Sequence, residues 1–117
     1  MVRRSGDRRI VENVNMRGGN GTVTISHALE QDGGEMLGKG RLFATLTLPA
    51  GASIGTHTHE GEMEAFAIIS GFGRFCDNGL NVDVAAGDVA YTAPGESHSI
   101  ENIGDCDLVM SAVIMFQ

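Results

Sequence analysis

Glycines punctuate this chain at short intervals and divide it into brief segments of alternating character. Seventeen of the 117 residues are glycine, about twice the usual share of roughly 7%. They separate segments such as 22–28 and 41–48, in which apolar and polar side chains alternate. Alternation with a period of two turns one face of a strand toward a core and the other toward solvent. The pattern predicts an all-β fold.

The segments predict a succession of short strands joined by turns, with no convincing helical window. Residues 18–21 and 31–40 are predicted as a turn and a loop, and Asn78-Gly79 favours a tight hairpin. Strands at intervals of about eight to twelve residues are typical of a β-sandwich or barrel. The predicted strands are 9–14, 22–28, 41–48, 56–59, 64–70, 73–76, 80–84, 89–92, 98–102 and 108–116.

Two histidines and a glutamate stand close together in the stretch between residues 51 and 71. His57 and His59 are two residues apart, so on a strand both side chains project from one face. If the chain folds back as a hairpin through 60–63, Glu64 comes level with them on the neighbouring strand. Imidazoles and a carboxylate that converge in this way make a transition-metal site or an acid–base cluster.

This stretch resembles the first motif of the cupin family. That motif reads glycine, five residues, His-x-His, three or four residues, glutamate, six residues and glycine. The chain has Gly51, His57, His59, Glu64 and Gly71 at these places, with no departure.

The second cupin motif has its counterpart further along the chain. Gly87, Gly95, His98 and Asn102 stand at the family's positions, and Ala93 replaces the usual proline. That replacement changes the rigidity of a turn and touches no ligand. Two spaced motifs in the right order carry far more weight than a lone His-x-His.

The resemblance implies a cupin double-stranded β-helix, a jelly-roll barrel. We expect a single cupin domain over 1–117, because a chain of this length builds one core. The resemblance covers the barrel at 39–116 and leaves 1–38 as N-terminal strands or arm. In this family such segments typically extend one sheet, often across a dimer interface. A homodimer is expected, because a small open jelly roll leaves edge strands that need covering.

The four matched residues His57, His59, Glu64 and His98 are the predicted metal ligands. Three imidazoles and one carboxylate suit one divalent transition metal ion, such as Mn, Fe, Ni or Zn, and disfavour Ca and Mg. Four protein ligands on an octahedral ion leave two positions open. The alternative is that these histidines are satisfied core residues without an ion.

Two hypotheses for function follow. Cupins with this ligand set include dioxygenases, decarboxylases and isomerases, in which a small oxygenated acid, diketone or phenolic substrate coordinates the metal through two atoms. The metal then acts as a Lewis acid. The alternative is a non-catalytic module that binds or senses a small molecule and in which the metal only anchors the ligand. A purely structural role leaves four converging ligands unexplained.

Other polar residues are weaker candidates. Glu60 and Glu62 flank the ligands in a predicted turn and are the nearby acids for acid–base chemistry. Arg41 is a cation that could neutralise an anionic substrate beside the metal, although a surface position is the usual one. His27 lies outside both motifs, and we expect it at the surface or facing a dimer partner.

The charge distribution argues against a nucleic-acid partner. From residue 10 onward four basic residues stand against fourteen acidic ones, a balance of −10, and such a body repels polyanions. The N-terminal arginines at positions 3, 4, 8 and 9 are expected to form a frayed, solvated end. No apolar run approaches the roughly 20 residues of a membrane helix. Two isolated cysteines and no apolar signal segment predict a cytoplasmic protein without disulfides.

Overall fold

Ten strands form two antiparallel sheets that pack face to face. The computed structural model describes residues 1–117. Its helical segments are two three-residue 3₁₀ turns, and it contains no helix with the length and apolarity needed to cross a membrane. The strands are β1 (Ile10–Val14), β2 (Thr22–His27), β3 (Gly40–Leu48), β4 (Ser53–Thr58), β5 (Glu62–Ser70), β6 (Phe72–Asp77), β7 (Leu80–Ala85), β8 (Val89–Thr92), β9 (Ser97–Asn102) and β10 (Leu108–Phe116).

The strand order confirms the predicted jelly roll. The larger sheet runs β1-β2-β3-β10-β5-β8, and the smaller one runs β4-β9-β6-β7. Strands that are distant in sequence, such as β3 and β10 or β4 and β9, are therefore neighbours. This order is that of a double-sheet jelly roll, in which chain connections cross from one sheet to the other. The N-terminal strands β1 and β2 extend the larger sheet of their own chain.

The core lies between the two sheets and follows the alternation of the sequence. Leu46, Phe66 and Met110 point inward from the larger sheet, while Phe75 and Ile100 point inward from the smaller one. All five are at most 4% exposed. A core formed by inward residues of both sheets holds the sandwich together, because separating the sheets would return this apolar surface to water.

The predicted hairpin between the His-x-His segment and Glu64 is wrong. β4 pairs with β9 in the smaller sheet, whereas β5 pairs with β10 and β8 in the larger sheet. The turn at 59–61 therefore carries the chain from one sheet to the other. The prediction failed because a short polar turn looks the same whether it joins paired strands or crosses a sandwich.

The hairpin predicted at Asn78-Gly79 is confirmed. β6 and β7 pair up to Asp77 and Leu80, which leaves a two-residue loop. The φ angles of Asn78 and Gly79 are 49° and 91°. Both are positive, as the type I′ turn requires, and Asn-Gly is the sequence that adopts such angles most readily.

The N-terminal arginines are ordered against the sheet, so the expectation of a frayed end is wrong. Arg3 forms a bidentate ion pair with Glu35 and also donates to the carbonyl of Ala28. Arg8 donates to backbone carbonyls at the end of β2, and Arg9 pairs with Glu30. Three of the four arginines therefore fasten the segment before β1 to the rest of the chain.

Several aromatic side chains lie at the surface. Phe43 is 39% exposed, Phe72 62% and Phe116 43%.

Cys76 and Cys106 are both free, and Cys106 is exposed. β1, β8, β4 and β7 remain as sheet edges. The homodimer stays a prediction.

Asn102, at the end of the second motif, fixes the backbone around it. Its side chain is 2% exposed. The amide nitrogen donates to the carbonyls of Leu48 and Cys106, both at 2.8 Å, and its oxygen accepts from the N–H of Gly104 at 2.9 Å. Asn102 therefore ties the end of β9 to the end of β3, as a hydrogen-bonding residue and not as a ligand.

Asn102→Ala is expected to destabilise the fold by about 1–3 kcal/mol, because it leaves buried backbone groups without partners. The measurement is urea unfolding. Asn81→Ala is the matched control, since Asn81 is exposed and such a change costs within about 0.5 kcal/mol. A loss for Asn102→Ala no larger than for Asn81→Ala would contradict this account.

The Arg3–Glu35 ion pair predicts a pH-dependent contribution to stability. The hydrogen bond from Arg3 lowers the pKa of the Glu35 carboxyl to about 2. A depressed folded-state pKa adds stability that is complete above the ordinary glutamate range and is lost on acidification. Wild type should therefore unfold at higher temperature than Glu35→Gln at pH 7, and the difference should shrink as the pH falls from about 4.5 toward 2.

The exposed Glu12 supplies the control. Glu12→Gln removes the same charge and should show no comparable loss of melting temperature at pH 7. A Glu35→Gln difference that stayed constant down to pH 2 would refute the role of the ion pair.

Candidate metal centre

A β-bulge in β4 turns the two motif histidines into the interior. Ile54 pairs with Ile100 and His57 with His98, so two residues of β4 face one residue of β9. The additional residue shifts the alternation by one position. Ile54 therefore points into the core, and His57 does so as well although it lies an odd number of residues further on. His59, just past the strand, returns to the same face and is 2% exposed.

The other two candidate ligands come from central strands of the sandwich. Glu64 lies on β5 in the larger sheet and His98 on β9 in the smaller sheet, and they are 5% and 2% exposed. The His98 ring stacks on Phe66, with centroids 5.3 Å apart, and meets Phe75 edge-on at 5.5 Å. These contacts fix the imidazole between the two sheets.

The four side chains meet at one point. The Nε2 atoms of His57, His59 and His98 are mutually 3.1 Å apart. The Oε1 atom of Glu64 lies 3.0 Å from Nε2 of His59 and 3.1 Å from that of His98. The remaining pair, His57 and Glu64, has no such contact, and all four ligand atoms lie within 4.8 Å of one another. The structure thus brings together all four residues that the sequence proposed as ligands.

The outer nitrogen of each imidazole has an oxygen partner. Nδ1 of His57 donates to the carbonyl of Gly55 at 2.7 Å. Nδ1 of His59 faces the Glu62 carboxylate at 3.3 Å, and Nδ1 of His98 faces the Thr92 hydroxyl at 2.7 Å. A proton on Nδ1 leaves the lone pair on Nε2. With the protons on Nδ1, the three inner nitrogens would converge as lone-pair donors to a cation, as they do when outer partners orient metal-binding histidines.

The spacing of the donors fits a six-coordinate ion. Bonds of about 2.1 Å place neighbouring ligand atoms about 3.0 Å apart on an octahedron and about 3.4 Å apart on a tetrahedron. Five of the six pairs lie at 3.0–3.1 Å. Opposite ligands on the octahedron are about 4.2 Å apart, which suits the wider pair, His57 and Glu64. The donors and their spacing therefore fit one divalent transition metal ion.

Burial and the neighbouring groups shift the titration of the cluster. Burial lowers the pKa of His57, which keeps its imidazole neutral. The hydrogen bond to Glu64 raises the pKa of His59. Burial acts to raise the pKa of Glu64, but the hydrogen bonds from His59 and His98 outweigh it and hold this pKa below its ordinary value. Glu64 is therefore an anion that faces three imidazoles. The ionised carboxylate is the form of glutamate that binds a cation.

A cavity of about 370 Å³ opens beside the cluster. It touches His57, His59 and Glu64, while His98 lies behind them and outside its lining. The rest of the wall is apolar except for an amide and three basic side chains. It consists of Asn13, Met16, Arg17, Ile25, His27, Arg41, Leu42, Leu46, Ile54, Phe66 and Ile114.

The three weaker candidates lie in different places. Glu60 is exposed in the turn after β4 and does not line the cavity. Glu62 supports His59 and accepts from Nε of Arg41 through both carboxylate oxygens at 3.0 Å. Arg41 lines the cavity, as its proposed role requires, but its charge is balanced by Glu62. Arg41 is therefore part of the cavity wall, and Glu62 supports His59. Glu60 has neither role.

Two basic residues of the cavity wall were not predicted from the sequence. His27, expected at the surface or facing a partner, is half-buried at the end of β2 and lines the cavity. Arg17 was read only as part of the charge balance and also lines it. Neither lies in a motif, and the alternation of β2 alone could have shown that its odd-numbered residues, including Val23 and Ile25, point inward.

The fold and the four converging donors define a cupin, and the family comparison agrees. Residues 44–115 match the family described as the cupin domain. The match contains both motifs and all four donors. This chain belongs to the cupin family.

This chain is similar to a protein and to a crystal structure from Thermotoga maritima. A protein of that organism named oxalate-binding protein is 52% identical over 101 residues, which cover 86% of this chain and 82% of the relative. A crystal structure from the same organism, described as a predicted oxalate decarboxylase, has 49% identity, a TM-score of 0.93 and full coverage of both chains. The Schizosaccharomyces pombe Cnp3 cupin domain has a TM-score of 0.71 at 13% identity over 94% of this chain and 88% of that one, a likeness of fold alone.

Protein purified without added metal should carry about one Mn, Fe, Ni or Zn ion per chain. His57→Ala should lower that content at least about tenfold, because a lost ligand costs no less than a lost outer partner. The measurement is elemental analysis of both proteins side by side. Glu60→Gln is the matched control, since it changes a neighbouring acid outside the cluster. Equal metal in wild type and His57→Ala would refute the site.

Proposed function

We propose that this cupin binds a divalent transition metal and, through the metal, a small dicarboxylate of the oxalate class. The arrangement of the four donors carries the proposal. Five close pairs and one wide pair correspond to an octahedron whose two free positions are neighbours. Neighbouring free positions suit a ligand that coordinates through two oxygens, as the two carboxylates of oxalate do.

The cavity supports this proposal. It lies against three of the four donors, and outside the donors its wall has no carboxylate and one arginine without an ion-pair partner, Arg17, whereas the chain as a whole carries a net charge of −7. A basic recess in an acidic protein attracts small anions selectively. Its volume of about 370 Å³ corresponds to about twelve water molecules at about 30 Å³ each, so it is ample for a two-carbon acid with its bound waters. The name of the Thermotoga maritima relative points to the same ligand.

The residues of this chain have separate roles in binding. The three imidazoles and Glu64 would hold the ion, and a bound ion would supply Lewis-acid attraction for the ligand's oxygens. Glu62 orients His59 and balances the charge of Arg41. The apolar side chains of Ile54 and Phe66 line the recess and limit the water around the ligand, which strengthens its electrostatic contacts.

The second candidate function is catalytic turnover of the same ligand. The position of His27 in the cavity wall favours it. A decarboxylase needs a group that gives a proton to the carbon from which carbon dioxide departs. Among the cavity residues outside the ligand set, His27 is the one whose residue type titrates near neutrality, and burial lowers its pKa below the usual histidine value. The turn acids Glu60 and Glu62 do not line the cavity.

Isothermal titration calorimetry tests the proposal with protein loaded with Mn²⁺. We expect one oxalate per chain, and at least about a hundredfold weaker binding once the metal is stripped, because coordination supplies most of the affinity. Acetate, which lacks a second carboxylate for chelation, should bind far more weakly. Formate released during prolonged incubation would add catalysis to binding.

Two results would contradict the proposal. One is equal affinity of the loaded and the stripped protein for oxalate. The other is a His57→Ala protein without metal that binds oxalate as wild type does. The Glu60→Gln protein should bind oxalate like wild type, which excludes a general effect of altered charge near the turn.

A further inference from the structure

Part of the cavity wall comes from the segment between β1 and β2. Met16 and Arg17 lie in a 3₁₀ turn there and line the same recess as the metal ligands His57 and His59. This segment lies outside the two motifs and outside the region matched to the family, 44–115. Its contribution to the site therefore comes from residues that precede the matched region.

The backbone of this segment adopts unfavourable angles. The φ angles of Asn15 and Arg17 are 53° and 56°. Left-handed conformations of residues other than glycine cost of the order of 1 kcal/mol each and persist only when the surroundings impose them. Here the surroundings are the bulge of β4, because a Cβ atom at Gly55 would overlap the carbonyl of Arg17. Close packing onto Gly55 thus fixes the backbone of Arg17 beside the cavity, while its exposed side chain extends along the cavity wall.

The guanidinium of Arg17 has no partner within the chain. Arg3, Arg9, Arg41 and Arg74 each form an ion pair with a carboxylate. Arg8 donates to backbone carbonyls and to the hydroxyl of Thr45. Arg17 takes part in no hydrogen bond or ion pair, although its charge is felt by His57, whose pKa it helps to lower after burial and the neighbouring histidines. It is the cavity arginine whose donors are all available.

The charges of the loaded cavity complement a dianion. A divalent ion together with Glu64 leaves one positive charge, and Arg17 adds a second. Arg41 and Glu62 cancel each other. Burial, followed by the charge of Arg9, lowers the pKa of His27, so this side chain is neutral at pH 7. Two positive charges in a recess match a ligand with two negative charges.

We propose that Arg17 selects dianions in this cavity by donating to carboxylate oxygens of the ligand that the metal does not hold. The inference rests on the proposed function, the metal-dependent binding of a small carboxylate. An arginine fork offers paired N–H donors that match the two oxygens of a carboxylate. The metal thus accounts for chelation of the ligand. Arg17 accounts for the preference for a dianion over a monoanion of the same shape.

The experiment compares oxalate with oxamate, which has the same size and can chelate in the same way but carries one negative charge less. Calorimetry on Mn²⁺-loaded wild type should show that oxalate binds about tenfold or more tightly than oxamate. A hydrogen bond to a charged group contributes a free energy that corresponds to about this ratio of affinities. In Arg17→Gln the affinity for oxalate should fall about tenfold and that for oxamate less than about twofold. Arg17→Lys, which keeps the charge, should retain part of the preference.

Arg4→Gln is the matched control, because the Arg4 side chain is exposed, makes no hydrogen bond and does not line the cavity. It removes the same charge and should leave the oxalate-to-oxamate ratio unchanged. Metal content and melting temperature are measured first for each variant. If Arg17→Gln is unstable, Arg17→Asn replaces it, because asparagine tolerates the left-handed backbone.

The outcomes separate the two claims. Wild type that binds neither anion overturns both the proposed function and the role of Arg17. Wild type that binds oxalate, together with an Arg17→Gln protein whose ratio of affinities equals that of wild type, overturns the role of Arg17 alone. A fall in the ratio that Arg4→Gln reproduces also overturns it, because general charge then explains the preference.

Discussion

The candidate metal centre depends on the close approach of three imidazole nitrogens and one carboxylate oxygen. Atoms with lone pairs repel one another at 3.0–3.1 Å unless a proton or a cation lies between them. The protein holds them there through outer contacts, with Gly55, Glu62 and Thr92 as partners of the three Nδ1 atoms. These contacts orient each lone pair toward the centre. The cluster is therefore preorganised, and a cation relieves the repulsion that the fold has imposed.

The cluster also joins the two halves of the sandwich. Its three histidines come from the smaller sheet and the turn after β4, while Glu64 comes from the larger one. An ion bound by all four crosslinks the sheets directly above the core residues Ile54 and Phe66. Metal binding and the stability of the sandwich are consequently coupled, because any opening of the sheets separates the donors.

The strands and the four donors could be predicted because each depends on local pattern or on motif spacing. Alternating runs such as 41–48 gave strand positions within a few residues, and the family resemblance gave the donor set. The sheet in which each strand lies could not be predicted locally. The chain after His59 crosses between sheets, whereas an alternating sequence is equally compatible with a hairpin.

The remaining features depend on tertiary contacts. The arginines at the N-terminus looked solvated because their carboxylate partners, such as Glu35, lie far away in sequence. Arg17 had no motif around it, and its backbone position follows from packing against Gly55, a glycine at an unspecified position of the first motif. His27 faces the cavity because β2 belongs to the larger sheet. In each case a residue distant in the chain decides where the side chain lies.

The residues of the first motif form a metal site only because β4 contains the bulge. The strand reaches the ligands in the correct phase only because two residues of β4 stand opposite one residue of β9. A strand of the same sequence that paired with β9 without the bulge would retain every histidine, yet with Ile54 in the core His57 and His59 would face solvent. Among related chains, the loss of a metal can therefore arise through a change in strand pairing as readily as through a change of ligand. The bulge before His-x-His is accordingly as diagnostic of a working site as the histidines themselves.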